Sequence, residues 1–146
     1  GARFEALRIE ILRQPREPAK LKADVLSMRQ RMLDNHASHS EEFFDLKQDP
    51  GGLIDVEFIV QYLVLGHAHS HERLCGNLGN IALLGIAAEL GLIPQSLADP
   101  VRNTYREFRR LQHAFRLNGI SSARVERAAH ARRIEAVKSL WAKVFD

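Results

Sequence analysis

The chain has 146 residues, 45% of them hydrophobic and 27% charged, with a formal net charge of +3 at pH 7. That balance suits one domain with its own core and excludes the low-hydrophobicity, high-charge composition of a disordered chain. A single cysteine, Cys75, excludes an internal disulfide and favours a cytoplasmic setting, and so small a charge permits an acidic or phosphate-bearing partner without demanding nucleic acid.

In chain order, Phe4, Leu7 and Ile11 stand at helical spacing, and Pro15 and Pro18 end that short first helix. It opens abruptly on Gly1-Ala2 without a methionine, as a piece of a longer protein does, so residues 1–17 read as the end of a linker or preceding domain and residues 18–146 as the helical domain. From Lys20 to about Leu33 a second helix sets Leu21, Val25, Met28 and Met32 on one face and Lys22, Asp24, Arg29 and Arg31 on others. Residues 35–40 read as its terminating loop, and 43–47 as the only strand candidate. Pro50-Gly51-Gly52 then makes a tight turn into a third helix, Leu53 to about His69, which is apolar nearly all round and therefore central. Asp55, Glu57 and Gln61 interrupt it, and it is too short to cross a bilayer. Asn77 is placed to cap a fourth helix carrying Ile81, Leu84 and Ala88, closed by Gly91 and Pro94. Asp99-Pro100 reads as the start of a fifth, with Val101, Tyr105, Phe108 and Phe115 inward and an end at Asn118-Gly119. A last helix over about 124–144 puts Ile134, Val137, Trp141 and Val144 on one stripe. The sum is an all-α bundle of five main helices plus a short N-terminal one.

Four groupings carry possible chemistry. Lys47, Gly51, Gly52 and Asp55 surround a helix N-terminus whose glycine amides are expected to be bare, an arrangement able to cradle a phosphate; the alternative is a plain turn with an aspartate favoured by the helix dipole. Asp55 and Glu57 lie two positions apart, about 200° of helical rotation, so they cannot share one ion; Glu57 is read as a buried anchor and Asp55 is left open. His67, His69 and His71 hold no matching third ligand type and read as a polar helix end rather than a metal site. Arg102, Arg106, Arg109, His113 and Arg116 recur at steps of four and three, forming one stripe on the fifth helix, either a solvated face or a docking surface for an acidic partner. No complete active site is legible.

The ordered run from Phe44-Asp45-Leu46-Lys47 through Pro50-Gly51-Gly52-Leu53-Ile54-Asp55-Val56-Glu57-Phe58 to Gln61-Tyr62-Leu63 resembles the motif of glutamine synthetase adenylyltransferases. The likeness extends over most of the chain, through Pro15-Arg16-Glu17, Val25, Met28-Arg29 and Met32 upstream and the Arg/Leu/His-rich helix downstream. The family is bifunctional: two nucleotidyltransferase domains, each with a helical appendage, one half attaching AMP from ATP to a tyrosine of glutamine synthetase and the other removing it. This chain resembles the appendage of the adenylylating C-terminal half, and it lacks the family's metal-binding aspartates. The resemblance implies ATP and Mg2+ in the full-length enzyme and none in this piece alone, with no activity of its own. It implies that Lys47, Gly51, Gly52 and Asp55 border the nucleotide site of an upstream nucleotidyltransferase domain. It also implies that Arg102, Arg106, Arg109 and Arg116 dock glutamine synthetase or a PII-type signal protein, with no nucleic acid and no membrane involved. The competing reading is a non-enzymatic helical interaction module with a basic docking face.

Overall fold

The computed structural model describes residues 1–36 and 40–146. Among the described residues there are six α-helices, α1 (Ala2–Leu12), α2 (Pro18–Asp34), α3 (Leu53–His67), α4 (Asn80–Glu89), α5 (Gln95–Leu117) and α6 (Ala131–Phe145), and a two-stranded antiparallel ribbon, β1 (Phe43–Asp45) and β2 (Arg124–Glu126). The expected all-α bundle is thus correct in its helices. Of the loop expected over 35–40, residues 37–39 lie outside the described residues.

Helix α3 is the centre. Leu53, Ile54, Val56, Ile59, Val60 and Leu63 are all buried, and α2, α4, α5 and α6 pack around it. An apolar side chain fully removed from water stabilises by about 1.5–3 kcal/mol, so the helix that buries six of them is where the core begins. α5 contributes Val101 and Phe108, both fully buried, and α6 contributes Ile134, Val137 and Leu140. Phe44 reaches the same core from β1, its ring 5.7 Å from that of Phe108, and the rings of Tyr62, Phe145 and Trp141 close the α3–α6 seam. A smaller cluster of Ala68, Leu74 and Cys75, with Ile9 and Leu12 against it, lies at the far end of α3.

Three boundaries and the inward face of α2 differ from the expectation. Residues 124–126 are not helix but the strand that pairs Phe43 with Glu126, Phe44 with Val125 and Asp45 with Arg124; a three-residue strand carries too few positions to show a period, and its partner is some 80 residues away. A 3-10 turn over Arg127–His130 then leads into α6. α5 begins at Gln95 rather than at Asp99, because Pro94 supplies the carbonyl that accepts the amides of Leu97 and Ala98, and Pro100 is carried inside the helix. α4 is capped by Gly79, not Asn77. On α2 the inward face is Leu21, Val25 and Arg29; Arg29 is 3% exposed and Met28 46% exposed, the reverse of their expected places. Helices α1's Phe4, Leu7 and Ile11 all face outward.

Candidate functional site around the Pro-Gly-Gly turn

The turn between β1 and α3 is fixed by two buried carboxylates. Asp55, in the first turn of α3, accepts the Gly51 amide at 2.8 Å with one oxygen and Arg29 Nε at 2.6 Å with the other. Burial pushes the Asp55 carboxyl above its ordinary range, and the Arg29 guanidinium and the Gly51 amide pull it back. Arg29 also donates to the Gln48 carbonyl at 2.7 Å, so α2, the turn and α3 are tied through one guanidinium, whose Nη1 is buried without a partner among the described residues. Asp49 is the second carboxylate. It accepts the Asp45 amide at 2.8 Å and faces His36 Nε2 at 3.2 Å and Arg127 Nη2 at 3.5 Å, while Arg127 also lies over the Phe44 ring. It therefore joins the end of α2 and both strands.

The expected bare glycine amides are not bare. Gly51 donates to Asp55, Gly52 to the Asp49 carbonyl at 2.9 Å, Leu53 to the Leu46 carbonyl at 2.8 Å and Ile54 to the Lys47 carbonyl at 3.2 Å. The loop before α3 doubles back and consumes the donors that a free helix N-terminus presents. The glycines answer to space instead: Gly51 has φ +93°, and a Cβ on Gly52 would sit 2.6 Å from the Leu46 carbonyl oxygen.

Lys47 points out of this turn. Asp45 Oδ1 accepts the amides of Lys47 and Gln48, each at 2.9 Å, which closes the bend that presents the lysine. Lys47 lines a cleft of about 250 Å³ together with Gln112, Arg116, Ser121 and Ser122. Two groupings that the sequence keeps apart, the turn and the end of the basic stripe, therefore meet across one cleft.

The rest of the stripe does not act as one surface. Arg102 is tied to the Ile81 carbonyl at 2.9 Å, with its guanidinium packed over Gly85, so it holds α4 to α5. Arg106 bonds Asn103 and Arg109 bonds Gln112, and both border a groove beside Tyr105 and the start of α4. His113 is exposed. Glu57 makes the hydrogen bond of the expected anchor but is half-buried rather than buried: it accepts the Tyr105 hydroxyl at 3.2 Å, and that oxygen in turn accepts from Asn80 at 2.9 Å, linking α3, α5 and α4. Burial raises the Tyr105 hydroxyl above its usual range. His67 and His71 have their rings 6.4 Å apart, and no group of three metal-capable side chains forms among the described residues. No helix among them is long and apolar enough to cross a membrane.

Sequence reasoning missed Arg29, Asp49, His36 and Arg127. A signal existed only for Arg29, which stands four and eight residues beyond Val25 and Leu21 on the inward stripe, opposite an aspartate on an apolar helix that needs a partner.

Comparison with known proteins agrees with the motif. Residues 19–137 match the family model of the GlnD PII-uridylyltransferase. Over 145 residues, 99% of the chain, the sequence is 58% identical to a bifunctional glutamine synthetase adenylyltransferase/adenylyl-removing enzyme of Aromatoleum aromaticum, and it covers 15% of that protein. Proteins of the same name from Chromobacterium violaceum and Nitrosomonas eutropha are 51% and 53% identical, over 100% and 84% of the chain and 16% and 13% of their own lengths. The chain thus spans only 13 to 16% of these curated relatives. With most of its length under the family model and nearly all of it aligned to these enzymes, the chain belongs to the GlnD PII-uridylyltransferase family and is similar throughout to a segment of the bifunctional glutamine synthetase adenylyltransferases.

Proposed function

We infer that the chain serves as the helical domain beside a nucleotidyltransferase domain, in a protein that transfers AMP from ATP to a tyrosine of glutamine synthetase and, in its other half, removes it. The observation that carries this reading is the 58% identity, over 99% of the chain, to an enzyme named for both activities. Its place is the adenylylating C-terminal half, and its setting the cytoplasm. In this reading ATP and Mg2+ belong to the whole enzyme. In this reading Lys47 lends positive charge to the ATP phosphates at the border of the neighbouring domain. Gly51, Gly52 and Asp55 act through the shape of the turn that presents it. Their buried positions and filled hydrogen bonds support that division of labour. The test is Lys47→Ala in the full-length enzyme: ATP affinity and adenylylation turnover both fall, and a variant with neither changed removes Lys47 from the site.

Docking of glutamine synthetase or a PII-type protein is assigned to Arg106 and Arg109, exposed beside the Tyr105 groove, while Arg102 supports that surface from within. Charge reversal of Arg106 and Arg109 to Glu weakens one of the two associations if this is right. The second reading, a non-enzymatic interaction module, draws on the same groove and predicts that partner binding survives without the rest of the enzyme.

A further inference from the structure

The cleft between the β1–α3 turn and the end of α5 gathers several donors, beside the apolar Ile120 and Ala123 and one carboxylate, Asp45. Lys47 brings an ammonium and Arg116 a guanidinium, and neither side chain has a protein partner among the described residues. Gln112 stands one helical turn before Arg116 on α5 and is only 7% exposed. Its Oε1 accepts Arg109 Nη1 at 2.9 Å, which directs the amide Nε2 the other way, and no protein acceptor meets that nitrogen. The amide nitrogen is not sealed from solvent, so it is a donor open to an acceptor that enters the cleft.

The chain is folded to make this wall. Gly119, at φ +74°, turns the backbone after α5, and the amides of Asn118, Gly119 and Ile120 cap the carbonyls of Ala114, Arg116 and Phe115, so the negative end of the helix is already spent. The returning segment carries Ser121 and Ser122 to the cleft and is pinned to it where the Leu46 amide donates to the Ala123 carbonyl at 2.9 Å. The one acidic neighbour, Asp45, has an oxygen engaged with two backbone amides of the turn.

We propose that this cleft binds a phosphate-bearing anion, with Lys47, Arg116 and the Gln112 amide as its ligands and the Ser121 and Ser122 hydroxyls at its rim. This rests on the family reading above and adds to it the residues of α5 and the following loop. The donors outnumber what the two oxygens of a carboxylate accept, and a phosphate or diphosphate presents oxygens in several directions to a ring of this kind. The volume, about 250 Å³, admits a diphosphate rather than a whole nucleotide.

The experiment titrates the full-length enzyme, and then this chain, with pyrophosphate, ATP and adenosine in turn, following binding by calorimetry. Pyrophosphate and ATP bind, adenosine does not, and Lys47→Ala and Arg116→Ala each weaken pyrophosphate by about tenfold, while Arg106→Ala, outside the cleft, leaves it unchanged. ATP binding much more tightly than pyrophosphate, with both losses shared, makes the source the phosphate tail of a nucleotide. Equal affinities that leave turnover intact in Lys47→Ala make it a free anion, which sinks the nucleotide-border role and keeps the cleft. Absence of pyrophosphate binding, or equal weakening by Arg106→Ala, overturns the proposal.

Discussion

At the scale of single residues, the Arg29–Asp55 pair decides whether the turn keeps its shape. Each charge lies in the core, so removing one partner leaves the other desolvated and unpaired, at a cost of about 3–5 kcal/mol. Arg29→Ala and Asp55→Ala should therefore each lower the urea-unfolding free energy by that much. The double variant should cost far less than the sum, since no charge is then stranded; additive losses would show that the two do not act as a pair. His67 provides a pH signature. Burial, followed by the nearby His71 and His69, holds its imidazole below the ordinary range, so the folded chain carries the neutral ring while the unfolded chain takes a proton first. The stability this contributes is complete above the unfolded value of about 6.5 and is lost as pH falls below it. Between about pH 7.5 and about pH 5.5 the wild type should lose more thermal stability than His67→Gln, and parallel curves would remove His67 as the cause.

At the scale of elements, the turn and the ribbon are joined by backbone contacts that no side chain can replace. Gly52 faces carbonyl oxygens of Leu46 and Asp49, and a methyl there collides with main chain that cannot step aside. Gly79 meets nothing within 4 Å, though it also caps a helix. Gly52→Ala should destabilise by about 2 kcal/mol or more, while Gly79→Ala should change stability by no more than about 1 kcal/mol, both read from chemical denaturation. Similar midpoints for the two would mean that the close approach at residue 52 does not exist in solution. The same contacts explain why the glycines were legible and their purpose was not: Pro50-Gly51-Gly52 announces a turn, but only the returning loop and Asp55 show that its amides are spoken for.

At the scale of the whole molecule, α1 stands apart. It meets the rest through Ile9 and Leu12 on the smaller cluster, and through Arg8, which pairs with Glu5 and reaches the Cys75 carbonyl, while Phe4, Leu7 and Ile11 remain open. The main core contains none of its residues. Removing residues 1–13 should leave one cooperative unfolding transition with the midpoint lowered by only a few degrees, as calorimetry can measure. Loss of cooperativity would place α1 in the core after all.

Sequence alone determined the helices, because repeating apolar positions, caps and breakers are local and each long helix states its period many times over. It also determined the family, because the run from Phe44 to Leu63 is an ordered motif read without reference to any contact. Only the tertiary structure decided what the polar residues of that motif face. The strand at 124–126, the inward turn of Arg29, the hub at Asp49 and the meeting of Lys47 with Arg116 each join positions tens of residues apart. A buried polar group announces in sequence that it needs a partner. Which partner it finds depends on how the chain closes in space.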